Sequence, residues 1–594
     1  MRRRSHVLAA IVVGVLGMSA VGAASAVSGG GRGDWAEQTL RRMSLEEKVG
    51  QLFVADVWGK AAGQPDQGNR TKYGVDTPAE VVERFHPGGV IYFNNPGTDN
   101  VDDPAQVARF SNGLQRAALA SGAKVPLIIS TDQEGGRVTR IAAPATEFPS
   151  SMALGAGRRV EDARALAAVN GHGLRAMGIN QDFAPDADVN SNPLNPVIGS
   201  RSFSADPGLT SQMVAAEIDG YQNSGPPTET VSAAAKHFPG HGDAAADSHT
   251  GLPVITRTEA QWRQIDLPPF QAAIAAGADV IMSAHITVPS LDPSGEPATL
   301  SKPIMTGILR DELHYDGVVA TDSLQMAGVR QLHSDAEIPV LALEAGVDQM
   351  LMPPDLGVAV DSVLDAVKSG RLTEDRINQS VLRILRLKDK RGIVARPLVD
   401  VQAVERAVGS AANRDKIQAI TDRTTTVLRN DAGLLPLRNP GKVLVTGWNN
   451  GSYPGHPAEP VRTLAERLGG TAVSTGANPA AAGIEKAVAA ADEADTIVVL
   501  TNGLRSNTGQ GDLVRELLAT GKPVVAVSIQ EPYDPGFADV PTWIATYDWR
   551  DVTMTSLAKV LKGEIAPQGE LPVDIPAGDD ARQIRYPFGT GLTW

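Results

Sequence analysis

Between residues 40 and 390 the chain repeats one unit: a short apolar run, often β-branched, followed by a longer stretch with helical periodicity. The strand candidates are Gly89–Phe93, Val125–Ser130, Asn180–Ala184, Val231–Ala235, Val280–Ala284, Val318–Thr321 and Gln349–Met352. Nearly all their positions are apolar, the pattern of strands covered on both faces of a parallel sheet. Helical patterns such as Glu161–Met177 and Ala260–Ala276 separate them. Ser44-Leu-Glu-Glu47 has the spacing of a capping box opening the first helix. Thr373 is placed to cap the last, where Ile377, Val381, Ile384 and Leu385 form an apolar stripe. Seven or eight such units predict a (β/α)8 barrel of the α/β class over residues 27–390.

Residues 391–415, with Pro397 and mixed charge, read as a linker. A second α/β pattern fills 416–594. Its strand candidates are Lys442–Thr446, Thr496–Thr501 and Pro523–Ser528, with helices around Val461–Leu468 and Leu513–Leu518. That predicts a smaller αβα sandwich. It carries no cluster of catalytic residue types, so its expected role is structural or as a rim to a cleft.

The amino terminus has a different logic. Arg2, Arg3 and Arg4 precede an apolar stretch, Val7–Met18, and small residues ending Ala24-Ser25-Ala26. This is the order of a secretory signal peptide over residues 1–26, with an apolar stretch too short to span a bilayer in the usual way. Export to the envelope or the medium is therefore expected, with no integral membrane segment after cleavage. Cleavage removes three arginines and no acid, taking the formal charge from −14 to −17. An acidic chain without a long basic run argues against nucleic acid or an anionic membrane as partner, and suits a neutral ligand such as a sugar. There is no cysteine, which excludes disulfides, thiol nucleophiles, thiolate metal sites and a lipidated cysteine.

Within the barrel pattern, polar residues follow the strands: Asp132, Lys236, His285 and Asp322. That is the face on which barrel active sites are built. The segment Lys236-HFPGHGDAAADSHTGL-Pro253 is the richest. Lys236 and His237 can hold an oxygen-rich ligand. Asp247 and His249, two residues apart, can form a carboxylate–imidazole dyad if the loop curls, the carboxylate fixing the tautomer and leaving the other nitrogen to exchange a proton. Asp322 can serve as a nucleophile at the end of a strand; its rival reading is a helix N-cap. An acid/base and a carboxylate nucleophile are the minimum kit of a retaining glycosidase. The same histidines and aspartates, with His241 and Asp243, also allow a metal-dependent barrel hydrolase, although Pro239-Gly240 breaks the helix that would put His237 and His241 on one face. Acidic and basic residues around Gly135-Gly136, from Asp132 to Arg140, can bracket hydroxyls, and Arg201 adds a further guanidinium.

The motifs DQEGGRV at Asp132–Val138, RSF at Arg201–Phe203, KHFPGHG at Lys236–Gly242, DSHTGLP at Asp247–Pro253 and GVVATDSL at Gly317–Leu324 resemble glycoside hydrolase family 3. The Asp-x-His pair looks like its β-N-acetylglucosaminidase (β-N-acetylhexosaminidase) branch. The resemblance reaches the closing YPFGTGLTW at Tyr586–Trp594. It implies Asp322 as nucleophile of a covalent glycosyl-enzyme, His249 as general acid/base and Asp247 as its partner. Asp132, Arg140, Arg201, Lys236 and His237 would bind the terminal sugar, with no metal and no organic cofactor. The implied activity is exo-acting cleavage of β-linked N-acetylglucosamine from peptidoglycan fragments or chitooligosaccharides. A phosphorylase, because a neutral imidazole does not repel phosphate, and a broader β-glycosidase are the alternatives within the family. In one departure, Asp186 of Phe183-Ala-Pro-Asp-Ala-Asp-Val189 stands where similar sequences usually carry an apolar residue.

Overall fold

The structure is a computed structural model that describes residues 34–95, 97–451 and 457–594. The expected signal peptide lies outside the described residues. Eight strands close into a parallel barrel: β1 (Phe53–Asp56), β2 (Gly89–Ile91), β3 (Ile128–Thr131), β4 (Gln181–Asp182), β5 (Ser232–Phe238), β6 (Val280–Ser283), β7 (Val318–Ser323) and β8 (Gln349–Leu351). Closure comes from β1 against β8, with Phe53 paired to Met350 and Val54 to Leu351. All residues of β1 to β6 and β8 are buried, as the continuous apolar runs require. Each fully buried Val, Leu or Ile contributes about 1.5–3 kcal/mol, so short strands suffice when both faces are covered.

The structure refines three expectations. β1 was not among the expected strands. The Ser44 capping box forms, with Glu47 N donating to Ser44 Oγ (3.2 Å) and Ser44 N to the Glu47 carboxylate (2.8 Å), but it opens the helix Leu45–Gln51, which follows an earlier one, Trp35–Arg42. The single helix expected over Ala260–Ala276 is two, Glu259–Ile265 and Leu267–Ala275. Pro268 and Pro269 lack the N–H groups that would continue the first, and they sit in the opening turn of the second. Thr373 caps Glu374–Lys390 by accepting from Arg376 N.

Residues 391–415 contain the helix Val401–Ala407, whose Val404 is fully buried. The second sheet has six strands: β9 (Thr426–Asn430), β10 (Val443–Gly447), β11 (Thr471–Ser474), β12 (Thr496–Thr501), β13 (Val524–Ser528) and β14 (Thr542–Ala545). Their order is β11-β10-β12-β13-β14-β9, parallel except for β9, which runs antiparallel to β14. The two domains are tied together. Arg423 makes a bidentate pair with Asp162 (2.8 and 2.7 Å), Arg158 donates to Leu571 O (2.7 Å) and Ala205 N to Pro572 O (3.0 Å).

Candidate active site

An open cleft sits at the carboxyl ends of the barrel strands. Of the eight residues picked from the sequence, seven line it: Asp132, Arg140, Arg201, Lys236, His237, His249 and Asp322. The eighth, Asp247, is hydrogen-bonded to His249. Asp132 directly follows β3, Lys236 and His237 lie inside β5 rather than after it, and Asp322 lies inside β7. The barrel thus gathers residues from four distant stretches of chain onto one face.

The closed end of the cleft is a knot of cations and carboxylates. Lys236 Nζ is 2.9 Å from Asp132 Oδ1 and 2.6 Å from Glu134 Oε1. Arg201 donates through Nε and Nη2 to both oxygens of Glu134, each at 2.8 Å. Arg140 lies 3.7 Å from Asp132 and 5.3 Å from the Phe93 ring centroid. Burial raises the proton affinity of Glu134, but Arg201 and Lys236 outweigh it and hold the carboxyl well below the usual range. Burial lowers the pKa of Lys236, and Asp132 and Glu134 reverse that, holding it above its usual value. Glu134 and Lys236 are therefore both charged at neutral pH. Glu134 was not singled out from the sequence, although it lies between Asp132 and Arg140 in the same motif.

A second carboxylate behind the cleft sets the histidines. Asp188 is fully buried and accepts from His237 Nδ1 (2.7 Å) and from His241 N (2.6 Å). Burial works against its charge, yet His237, His241 and these hydrogen bonds keep its pKa low. The imidazole of His237 therefore carries its proton on Nδ1 and turns Nε2 toward the cleft, where Arg201 Nη2 approaches at 3.4 Å. His241 Nε2 bonds Ser248 Oγ at 2.9 Å, anchoring the residue beside His249. Burial pulls the His241 pKa down to about 4, so it is neutral.

Asp186, the departure noted in the sequence, is buried between these groups. Its Oδ1 accepts from Asp188 N (3.0 Å), while Oδ2, without a hydrogen-bond partner, is 3.6 Å from Arg201 and 3.9 Å from His237. Burial and the neighbouring Asp188 push its pKa well up, which favours the protonated acid. Asp186, Asp188 and His237 are close enough to hold a metal ion, but Asp188 and His237 spend their facing atoms on each other and Arg201 stands beside Asp186. The ligand set weighed from the sequence is also dispersed, since Asp243 pairs with Arg257 (3.0 Å) and Asp247 with His249.

Asp322 is not a helix cap: the following helix, Ala327–Arg330, has Met326 at its N-cap position. The carboxylate accepts from Ser323 N (2.6 Å) and its Oδ2 lies 4.0 Å from His237 Nε2, with the side chain 23% exposed to the cleft. Burial raises its pKa, but His237, His285 and the Ser323 N–H bring it below the usual value, so it is ionised.

The loop of Asp247 and His249 does curl. Thr250 N and Gly251 N both donate to Asp247 O (3.0 Å each), and Asp247 Oδ1 accepts from His249 N and Nδ1, each at 2.8 Å. These bonds keep Asp247 ionised against its partial burial. A carboxylate only accepts, so Nδ1 carries the proton and Nε2 is left free. The His249 side chain is 61% exposed, at the mouth of the cleft that Asp322 faces. The loop docks on the chain just after Asp322 through Ala327 N to His249 O (3.3 Å) and Gly328 N to Ser248 O (3.0 Å). A Cβ at Gly328 would lie 2.9–3.0 Å from three carbonyl oxygens, so glycine lets these segments meet.

The second domain supports the loops of Glu134 and Arg201 from behind. Glu531 accepts from Ser200 N (3.2 Å) and Oγ (3.3 Å) and lies 3.6 Å from Arg137. Gly199 has φ +46°, and a Cβ there would overlap the Glu531 carboxylate. Arg550 donates to Gly136 O at 2.8 Å. The loops of Glu134 and Arg201 are thus both braced by the second domain.

β-Hexosaminidase A of Pseudoalteromonas piscicida is 37% identical over 390 residues, 62% of this chain and 63% of that protein, so the chain spans less than two thirds of its length. A β-N-acetylglucosaminidase/β-glucosidase of Cellulomonas fimi is 28% identical over 578 residues, covering 92% of this chain and 96% of the other. A solved glycoside hydrolase family 3 β-N-acetylglucosaminidase from Paenibacillus sp. str. FPU-7 superposes with a TM-score of 0.82 at 35% identity, over 90% of this chain and 99% of that one. Residues 44–387 match the N-terminal domain of glycosyl hydrolase family 3 and residues 425–594 its C-terminal domain. The barrel strands fall within the first of these stretches and the second sheet within the other, and the chain belongs to glycosyl hydrolase family 3.

Proposed function

We propose that this protein is an exported, retaining exo-β-N-acetylglucosaminidase acting on chitooligosaccharides or cell-wall fragments. The observation that carries the reading is the pairing of an ionised Asp322 with an Asp247-fixed imidazole of His249 on one cleft, closed at its other end by charged groups suited to hydroxyls. The names of the β-hexosaminidase relatives support the sugar specificity. Arg2–Arg4, Val7–Met18 and Ala24-Ser25-Ala26 support export.

In the first step Asp322 attacks the anomeric carbon while the bond to the glycosidic oxygen breaks. The protonated His249 gives its Nε2 proton to that oxygen, and the bond's electron pair leaves with the aglycone. In the second step neutral His249 takes a proton from water at Nε2, the water oxygen attacks the same carbon, and Asp322 departs as a carboxylate. Two inversions give net retention. His249 thus serves as acid in the first step and as base in the second. Asp132, Glu134, Arg201 and Lys236 form a rigid set that holds the terminal ring.

The test is hydrolysis of an aryl N-acetylglucosaminide against the matching aryl glucoside, with and without phosphate. The reading expects a strong preference for the N-acetylated substrate and free N-acetylglucosamine as product. Faster turnover of the glucoside would overturn the specificity. A sugar 1-phosphate as the main product would make the protein a phosphorylase.

A further inference from the structure

The helix Val160–Ala176 leads from β3 to β4, so its last turn lies at the end of the barrel opposite the cleft. Arg175 stands in that turn and is only 5% exposed. Its Nη1 is buried with no hydrogen-bond partner, and among the described residues the guanidinium makes no salt bridge and donates to no oxygen. Burial brings its pKa down to about 10, helped by repulsion from Arg396 and Arg391, and this leaves it charged at neutral pH.

A buried cation with no partner is costly, and buried charges are as a rule paired. The neighbouring cations keep that rule. Arg391 donates to Asp279 and, at 2.7 Å, to Gln222 O, while Lys390 Nζ shares Asp279 at 2.6 Å. Arg310 donates to Tyr315 O and Gly317 O at 2.7 Å each and to Asp348. Arg175 departs from it.

Arg396 is exposed and, among the described residues, has no ion-pair partner. The segment that carries it is anchored on both sides. A Cβ at Gly392 would lie 2.7 Å from Thr228 Cγ2, and Val399 exchanges two hydrogen bonds with the Asn112 side chain, each at 2.8 Å. Between these points Arg396 N donates to Gly392 O (2.9 Å). Gly178, three residues after Arg175, packs against the same place, where a Cβ would lie 2.6 Å from Ser111 Cβ and 3.5 Å from Val399 Cγ2. The end of the helix and the segment of Arg396 are thus fixed side by side.

We propose that Arg175 and Arg396 form a binding site for a small oxyanion of the phosphate or carboxylate type, remote from the catalytic cleft. A guanidinium presents a planar fork of N–H groups that matches two oxygens of either anion. The anion supplies the counter-charge that the chain withholds from Arg175. In a protein of formal charge −14 the overall field repels anions, so binding depends on these two side chains and not on general attraction. Once bound, the anion joins a barrel helix to the segment that leads to the second domain.

The experiment is calorimetric titration of the protein with inorganic phosphate and, separately, with acetate, at constant pH and ionic strength. It is repeated on Arg396→Ala and Arg175→Met, with circular dichroism to check the fold of each. Binding of at least one of the two anions is expected, and it should weaken about tenfold or more in either variant, as loss of charge-assisted hydrogen bonds requires. Whichever anion binds more tightly names the class of ligand. Anion held by the cations of the cleft is untouched by these changes, so undiminished binding in Arg396→Ala overturns the proposal. Absence of binding by both anions also overturns it. Should Arg175→Met fail to fold, Arg396→Ala, altered at an exposed position, decides alone.

Discussion

Asp188 holds His237 by Nδ1 at 2.7 Å, and through that one bond it aims the other ring nitrogen at the cleft. Its neighbour two positions back, Asp186, is equally buried yet is pushed the other way, its pKa raised by burial and by Asp188, and among the described residues its Oδ2 has no hydrogen-bond partner. The two should respond differently to the same chemical change. Asp186→Asn imitates the protonated acid and should leave kcat/KM at pH 7 within a factor of about three. Asp188→Asn removes an ionised acceptor from two histidines and should cost roughly 10²-fold, as misplacement of binding groups does. Parallel kinetics of the two variants check this, and equal losses would show that their charge states are misassigned.

His249 is expected to matter in proportion to how badly the leaving group needs a proton. His249→Ala should lose on the order of 10²–10⁴-fold on an alkyl or sugar aglycone and far less on a dinitrophenyl one. A series of aryl glycosides of graded leaving-group acidity reads this directly. Loss independent of the leaving group would remove His249 from the acid role.

Much of this arrangement is legible in the chain because the barrel places the carboxyl ends of its strands together. Asp132, Lys236 and Asp322 could be read one at a time, each next to an apolar run. The Asp247–His249 pair could be read because its partners are two residues apart. Glu134 and Asp188 were not singled out because their importance comes from partners 67 and 49 positions away, Arg201 and His237, which only the closed barrel brings near. β1 escaped because Phe53–Asp56 ends in a charged residue, and Asp56 is buried by its bonds to Lys72, Tyr73 and Gln325. The antiparallel edge strand β9 was likewise missed, since its polar Arg429 and Asn430 interrupt the apolar run.

The second domain reaches the loop of Arg201 through Glu531. Removing that carboxylate leaves Ser200 N without its partner next to Arg201. Glu531→Ala should raise KM about fivefold, the equivalent of one lost hydrogen bond, with kcat less affected. Initial-rate measurements check this. A loss confined to kcat would contradict a bracing role.

Lys388 gives a pH test of stability away from the site. It is wholly buried, its ammonium bonds Gln51 Oε1 at 2.6 Å, and burial pulls its pKa from 10.5 down to about 7. Between those values the unfolded chain binds a proton that the folded chain releases, so this group destabilises the fold increasingly as pH falls from 10.5 to 7. Lys388→Met removes that contribution. Its stability relative to the parent should be greatest near pH 7 and should decline by about 1.4 kcal/mol per pH unit toward pH 10. Denaturant unfolding of both proteins at several pH values checks this, and a gap independent of pH would contradict it.

Asp322 is the atom-level commitment of the account, and trapping tests it most directly. Incubation with a 5-fluoro-N-acetylglucosaminyl fluoride, followed by proteolysis and mass spectrometry, should place one sugar on the peptide carrying Asp322, with none on Asp322→Asn. A sugar ester on another carboxylate, or steady turnover of the reagent with product of inverted anomeric configuration and no adduct, would contradict it.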